Sequence, residues 1–198
     1  MTAVSQHAPT ASTTVHTSRV VTSGAARKAL AVLRIAFGLT FLWAFFDKLL
    51  ALGFATGAVL DDQGAKTGTD FLGADAWVNG GNPTLGFLKF GASGPFQELY
   101  HSLAGQAWVN LLFMAGLLGI GVALTFGIAM RLGTTAGFVM YLLMWTVVLP
   151  PPNNPVLDDH VLGAIAMVVL GLTVAGDTWG AGAAWGRTRL VRRAPILR

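Results

Sequence analysis

Apolar positions in this chain run together rather than alternating with polar ones. From Leu30 to Phe54 the stretch LAVLRIAFGLTFLWAFFDKLLALGF is apolar on every side, broken by only three charges, Arg34, Asp47 and Lys48. At ~1.5 Å per residue it is long enough to cross a hydrocarbon core of about 30 Å. Runs of the same kind follow at residues 107–128, 132–149 and 157–175. The pattern predicts an all-α membrane protein, a four-helix transmembrane bundle of up-down topology in which every backbone group is satisfied within its own helix. Gly116, Gly119, Gly121, Gly133, Gly137, Gly163 and Gly171 lie within these runs and fit close helix packing.

Between the first and second runs lies a long outer loop, opened by Gly53, Gly57 and the polar run from Asp61 to Gly64. Its apolar pieces at 71–78, 85–90 and 95–103 predict short interfacial helices. In GPFQELYHSLAG, Pro95 suits a first helical turn, and Phe96, Leu99, Tyr100 and Leu103 recur at helical spacing. This piece is expected to lie flat at the membrane surface and cap the bundle. The first 24 residues, rich in Ser, Thr and Ala, lack the apolar core of a secretory signal. The expected organisation is a disordered cytoplasmic tail at 1–27, a membrane domain at 28–184 and a basic cytoplasmic tail at 185–198.

Composition agrees with this reading. Of 198 residues, 54% are hydrophobic and 11% charged, and the mean hydropathy is +0.61, outside the range of soluble domains. A net charge of +4 does not point to nucleic acid, because the basic residues flank the apolar runs. Arg27, Lys28, Arg131 and the five C-terminal arginines at 187, 189, 192, 193 and 198 predict both termini in the cytoplasm, in a multi-pass plasma-membrane protein. The acids Asp61, Asp62, Asp70, Asp75 and Glu98 fall on the opposite side. With no cysteine, thiol chemistry, iron–sulfur ligation and covalently attached haem are excluded for the chain alone, so a redox role needs a borrowed cofactor.

The charges inside the apolar runs are the functional lead, since ionisable groups in lipid are costly. Arg34 and Asp177 fall at one end of the first and fourth runs and are expected to form a structural ion pair. Asp47 and Lys48 lie about 20 Å further along the helix, level with Asp158, Asp159 and His160. Arg34, Gly38, Phe41, Phe45 and Lys48 share a helical face, whereas Asp47 points about 100° away from Lys48. The expected catalytic group is Asp47, Lys48, Asp159 and His160, with Trp43, Phe45 and Trp145 as flat walls for a quinone. Against this stand an interfacial tryptophan belt, a snorkelling Lys48 and a helix N-terminal charge pair at Asp158 and Asp159. A metal site of His101, His160 and a carboxylate has no recognised motif, and no intrinsic metal is predicted.

The segment LRIAFGLTFLWAFFDKL, then FLKFGASGPF in the outer loop, then NNPVLDDHVLGAIAMVVLGL opening the last run, resembles the DoxX/DoxD family of small bacterial and archaeal membrane proteins. The extended outer loop is most similar to the DoxD branch, the large membrane subunit of thiosulfate:quinone oxidoreductase. The resemblance spans residues 30–184. It implies oxidation of thiosulfate or another small reductant at the outer face, with electrons passed to quinone, and places Arg34, Asp47, Lys48 and His160 in the functional bundle. The competing reading is a non-catalytic membrane partner of a redox or respiratory complex. A transporter ranks below both, because no ionisable residue lies between Arg34 and Asp47 or between His160 and Asp177.

Overall fold

The computed structural model describes residues 20–152 and 154–198 and is mostly helical. The expected tail therefore lies outside the described residues as far as position 19. Its last residues are helical, because α1 spans Gly24–Leu50, six residues earlier than the apolar run suggests. Ser23 starts it by accepting the Ala26 N–H on its hydroxyl. The helix stops four residues before Phe54, where Ala51 turns left-handed (φ 55°) and returns its N–H to the Asp47 carbonyl.

The outer segment is only partly helical. Strands β1 (Ala58–Leu60) and β2 (Lys66–Thr69) pair antiparallel, which the apolar pattern did not predict. The turn between them is organised by Asp61, whose carboxylate accepts the N–H groups of Gln63 and Ala65. Single turns follow at Trp77–Asn79, Phe87–Gly91 and Gly94–Phe96, and then α2 (Gln97–Leu103). Of its apolar residues only Tyr100 is buried, packing with Leu88, Ala92 and Val147, and its hydroxyl lies 2.5 Å from Thr146 Oγ1.

Three further long helices are α3 (Ala107–Phe126), α4 (Met130–Val147) and α5 (Asp159–Leu172). Helices α1 and α3, of 27 and 20 residues, are long and apolar enough to cross a membrane. α5 is apolar but has 14 residues, ~21 Å, shorter than the expected run because Asp158 caps it and Thr173 ends it. α1 packs on α3, α3 on α4, and α4 on α5. Phe41, Phe45, Met114, Leu117, Ile120, Leu124, Met167 and Leu170 fill the centre. Large apolar side chains also face outward on these helices, among them Leu39, Leu112, Leu143, Leu162 and Leu172. Each of these helices exposes several large apolar side chains, as helices facing hydrocarbon do.

Glycine supplies the close approaches. A Cβ at Gly121 would stand 2.8–2.9 Å from Leu42, and one at Gly163 would stand 2.6–2.8 Å from the Tyr141 ring. Gly116, Gly133, Gly137 and Gly171 likewise face a neighbouring helix. Gly119 does not, having nothing within 4 Å of its Cβ direction.

The C-terminal stretch is folded rather than a free tail. α6 (Gly182–Trp185) and α7 (Arg189–Arg193) lead to residues 195–198, which return to the start of α4, where the Arg131 N–H donates to the Arg198 carbonyl at 2.9 Å. Trp185 Nε1 donates to the Leu197 carbonyl at 2.5 Å, and Val191 is buried. The segment expected as a basic tail at 185–198 thus carries short helices and covers some apolar surface.

Candidate functional site

Arg34 and Lys48 lie on one helix and meet opposite fates. Arg34 is fully buried at the end of α3, where the last carbonyls of a helix lack intrahelical donors. Its guanidinium donates to the carbonyls of Leu124 and Thr125 from α3, and to those of Thr178 and Trp179 at 3.2 and 3.1 Å. A cation at a helix C-terminus also meets the negative end of the macrodipole. The expected ion pair with Asp177 is therefore not formed. Asp177 instead accepts Arg198 Nη2 at 3.2 Å on the surface, because the folded C-terminal stretch brings that arginine to it.

Asp47 is also buried, and its two carboxylate oxygens accept the N–H groups of Phe54 at 3.1 Å and Ala55 at 2.9 Å. It ties the exit of α1 to the turn that follows and forms no ion pair with Lys48, as their 100° separation on the helix implies. That corrects its assignment to the catalytic group. The other three groups, Lys48, Asp159 and His160, line one groove and are open to a ligand.

Lys48 lies at one end of a groove of about 560 Å³ between α1 and α5. Fourteen residues beyond Arg34, it has drifted by ~40° on a 3.6-residue helix, out of the stripe that packs on α3. The groove-facing stripe is Leu33, Phe37, Thr40, Phe41, Ala44 and Lys48. Phe113, Leu117, Tyr141 and Met144 make the floor, and Asp159, His160, Leu162, Gly163 and Ala166 the opposite wall. The lining is overwhelmingly apolar, with polar groups gathered at the α5 N-terminus.

There Asp158 does two things. One carboxylate oxygen caps α5 by accepting the N–H groups of His160 at 3.1 Å and Val161 at 3.0 Å, and the other lies 2.7 Å from His160 Nδ1. Burial pushes the Asp158 carboxyl up, but the hydrogen bonds from the His160 ring and the Val161 and His160 N–H groups prevail and hold it below its ordinary value. A carboxylate on Nδ1 fixes the imidazole and favours a proton there, leaving Nε2 to serve as acceptor. Asp159, exposed, lines the groove mouth.

The expected aromatic walls stand elsewhere. Trp43 is 49% exposed and stacks edge-on with Phe54 at 5.0 Å, Phe45 is buried in the core, and Trp145 donates to the Val156 carbonyl at 3.1 Å. The groove is walled by Phe37 and Phe41, whose rings meet Tyr141 edge-on at 6.1 and 5.5 Å. Their spacing of eleven and seven residues before Lys48 was the signal for them, since both intervals return to nearly the same helical face. Among the described residues no three His, Asp or Glu side chains gather as a metal site.

No family model, curated protein or solved structure matches this chain. The site is thus read from its own chemistry: an apolar aromatic groove, open along one side, with an ammonium and a carboxylate-oriented imidazole at one end.

Proposed function

We propose that the chain is a four-helix transmembrane bundle that binds quinone in the α1–α5 groove, as the membrane subunit of a quinone-linked oxidoreductase. The observation that carries this is the convergence of Lys48, Asp159 and the Asp158–His160 pair on one end of an aromatic groove. Flat rings at Phe37, Phe41 and Tyr141 suit a planar headgroup, and the open side suits a hydrocarbon tail. A bound quinone would supply the two-electron acceptor that a cysteine-free chain lacks. In this reading Lys48 would donate a hydrogen bond to a headgroup oxygen, and His160, held as an imidazolium by Asp158, would give a proton from Nε2 to the reduced oxygen and be left neutral.

Charge supports a multi-pass arrangement with both termini in the cytoplasm. Arg27 donates to Thr178 Oγ1 and Arg131 to the Pro195 carbonyl, so the basic segments gather at one end. The acidic outer segment meets the other end of α4, where the Ser93 N–H donates to the Val147 carbonyl at 2.9 Å. The DoxX/DoxD resemblance of 30–184 supplies the further reading that thiosulfate or another small reductant is oxidised at the acidic face. Repulsion of a dianion by that face makes this the weaker half.

The test is the quinone content of protein purified in mild detergent, with Lys48→Met and His160→Ala beside the wild type. Wild type is expected to carry extractable quinone, and each variant to lose at least about tenfold in affinity, the loss of one charged or buried polar contact. Equal quinone in all three overturns the site. Quinone-free protein that arrives with redox subunits supports the partner role instead.

A further inference from the structure

The four arginines at 187, 189, 192 and 193 are exposed, and among the described residues none is paired with a carboxylate. They do not sit on a loose tail. Thr188 caps α7 by accepting the Val191 N–H on its hydroxyl, Val191 is buried beneath, and the stretch is tied to α4 through Arg131. On α7, Arg189, Arg192 and Arg193 stand at i, i+3 and i+4, on one face, opposite the side that Val191 buries. Leu190 and Ile196, beside them in the chain, are 55% and 63% exposed, and Trp179, next to the Thr178 that Arg27 reaches, is 60% exposed. A folded surface that combines unpaired guanidinium groups with exposed aliphatic side chains differs from an ordinary solvated charge patch.

We infer that this C-terminal cap is a binding surface for anionic phospholipid headgroups of the bilayer that α1 and α3 enter. Guanidinium pairs with phosphate through bidentate hydrogen bonds, and tryptophan with leucine and isoleucine suits the headgroup boundary. The place fits, because the cap lies at the end of the helices where Arg27 reaches Thr178 and Arg131 reaches Pro195. Fixed in position, the three α7 arginines form one site rather than three independent attractions. The inference rests on the membrane-spanning reading but not on the quinone groove.

The experiment uses the full chain. Membranes are first washed with alkaline carbonate, and the retained protein is purified, delipidated in detergent and titrated with phosphatidylglycerol or phosphatidylcholine, bound lipid being counted by native mass spectrometry. Wild type is expected to prefer phosphatidylglycerol. The R189Q/R192Q/R193Q variant is expected to lose that preference by at least about tenfold, since each basic group near an anionic surface is worth roughly fivefold. R189K/R192K/R193K keeps the charge and is expected to retain most of it. Release by carbonate overturns the membrane reading and this inference with it. A retained protein with no lipid preference, or a preference untouched by the glutamine changes, overturns the cap alone. So does displacement by inorganic phosphate at the concentration of the lipid, or by an acidic peptide or RNA bound more tightly than the lipid.

Discussion

Arg34 and Lys48, two cations of α1, are housed in opposite ways. At the Arg34 end, carbonyls from α3 and from the chain after α5 surround one guanidinium, and glycines allow the approach: a Cβ at Gly127 or Gly180 would stand 3.0 Å from an Arg34 nitrogen. At the Lys48 end, the ammonium has no carboxylate or carbonyl partner among the described residues and borders open space beside His160. One helix, long and apolar enough to cross a membrane, thus shows two uses of a cation within an apolar stretch. A charge whose hydrogen bonds are taken by backbone fixes the fold; a charge left without them is available to a ligand.

The contrast can be broken most forcefully at the closed end. Arg34→Met leaves the buried Leu124 carbonyl and the partly buried carbonyls of Thr125, Thr178 and Trp179 without their donor, at a cost of about 3 kcal/mol, and is expected to lower the detergent melting midpoint by about 10 °C. A shift of under about 1 kcal/mol would mean that the guanidinium does not hold this end. Gly163→Ala tests the groove floor next. Its methyl group would press the Tyr141 ring toward the groove, at about 1–2 kcal/mol after the gain in helix propensity, and is expected to weaken quinone binding. Unchanged melting and unchanged titration together would remove Tyr141 from the floor.

The smallest effect belongs to Asp158→Ala, about 1 kcal/mol for a lost helix cap. It carries a pH signature. Because the folded-state carboxyl is held below its ordinary value, its stabilisation is complete above about pH 4 and fades as pH falls through the lower folded-state value. The difference between wild type and variant is therefore expected to close in acid. A gap that stays constant below pH ~4 would show that the carboxylate's charge contributes nothing to the cap.

Much of the helical layout was legible. Expected runs at 107–128 and 132–149 correspond to helices at Ala107–Phe126 and Met130–Val147, since long apolar stretches without turn residues leave few alternatives. Lys48 and His160 were legible as candidates because charge within an apolar run stands out. The partners of Arg34 were not, because carbonyls leave no mark in a sequence. Asp47 looked equivalent to Lys48 for the same reason, as the N–H groups of Phe54 and Ala55 belong to a turn whose path no periodicity encodes. The β1–β2 hairpin was hidden by its few apolar residues, and the folded C-terminal stretch by its arginines, which outweighed the one buried valine.

The carbonyls that complete the Arg34 shell lie 144 and 145 positions further along the chain. Synthesis proceeds from the N-terminus, so the guanidinium emerges long before the residues that will enclose it. Until Thr178 and Trp179 arrive, the first helix holds an incompletely satisfied cation and has every reason to keep it near water. The seating of the first helix is in this sense decided by residues made 144 and 145 positions later, and a chain stopped before Thr178 lacks two of the carbonyls that hold the Arg34 guanidinium.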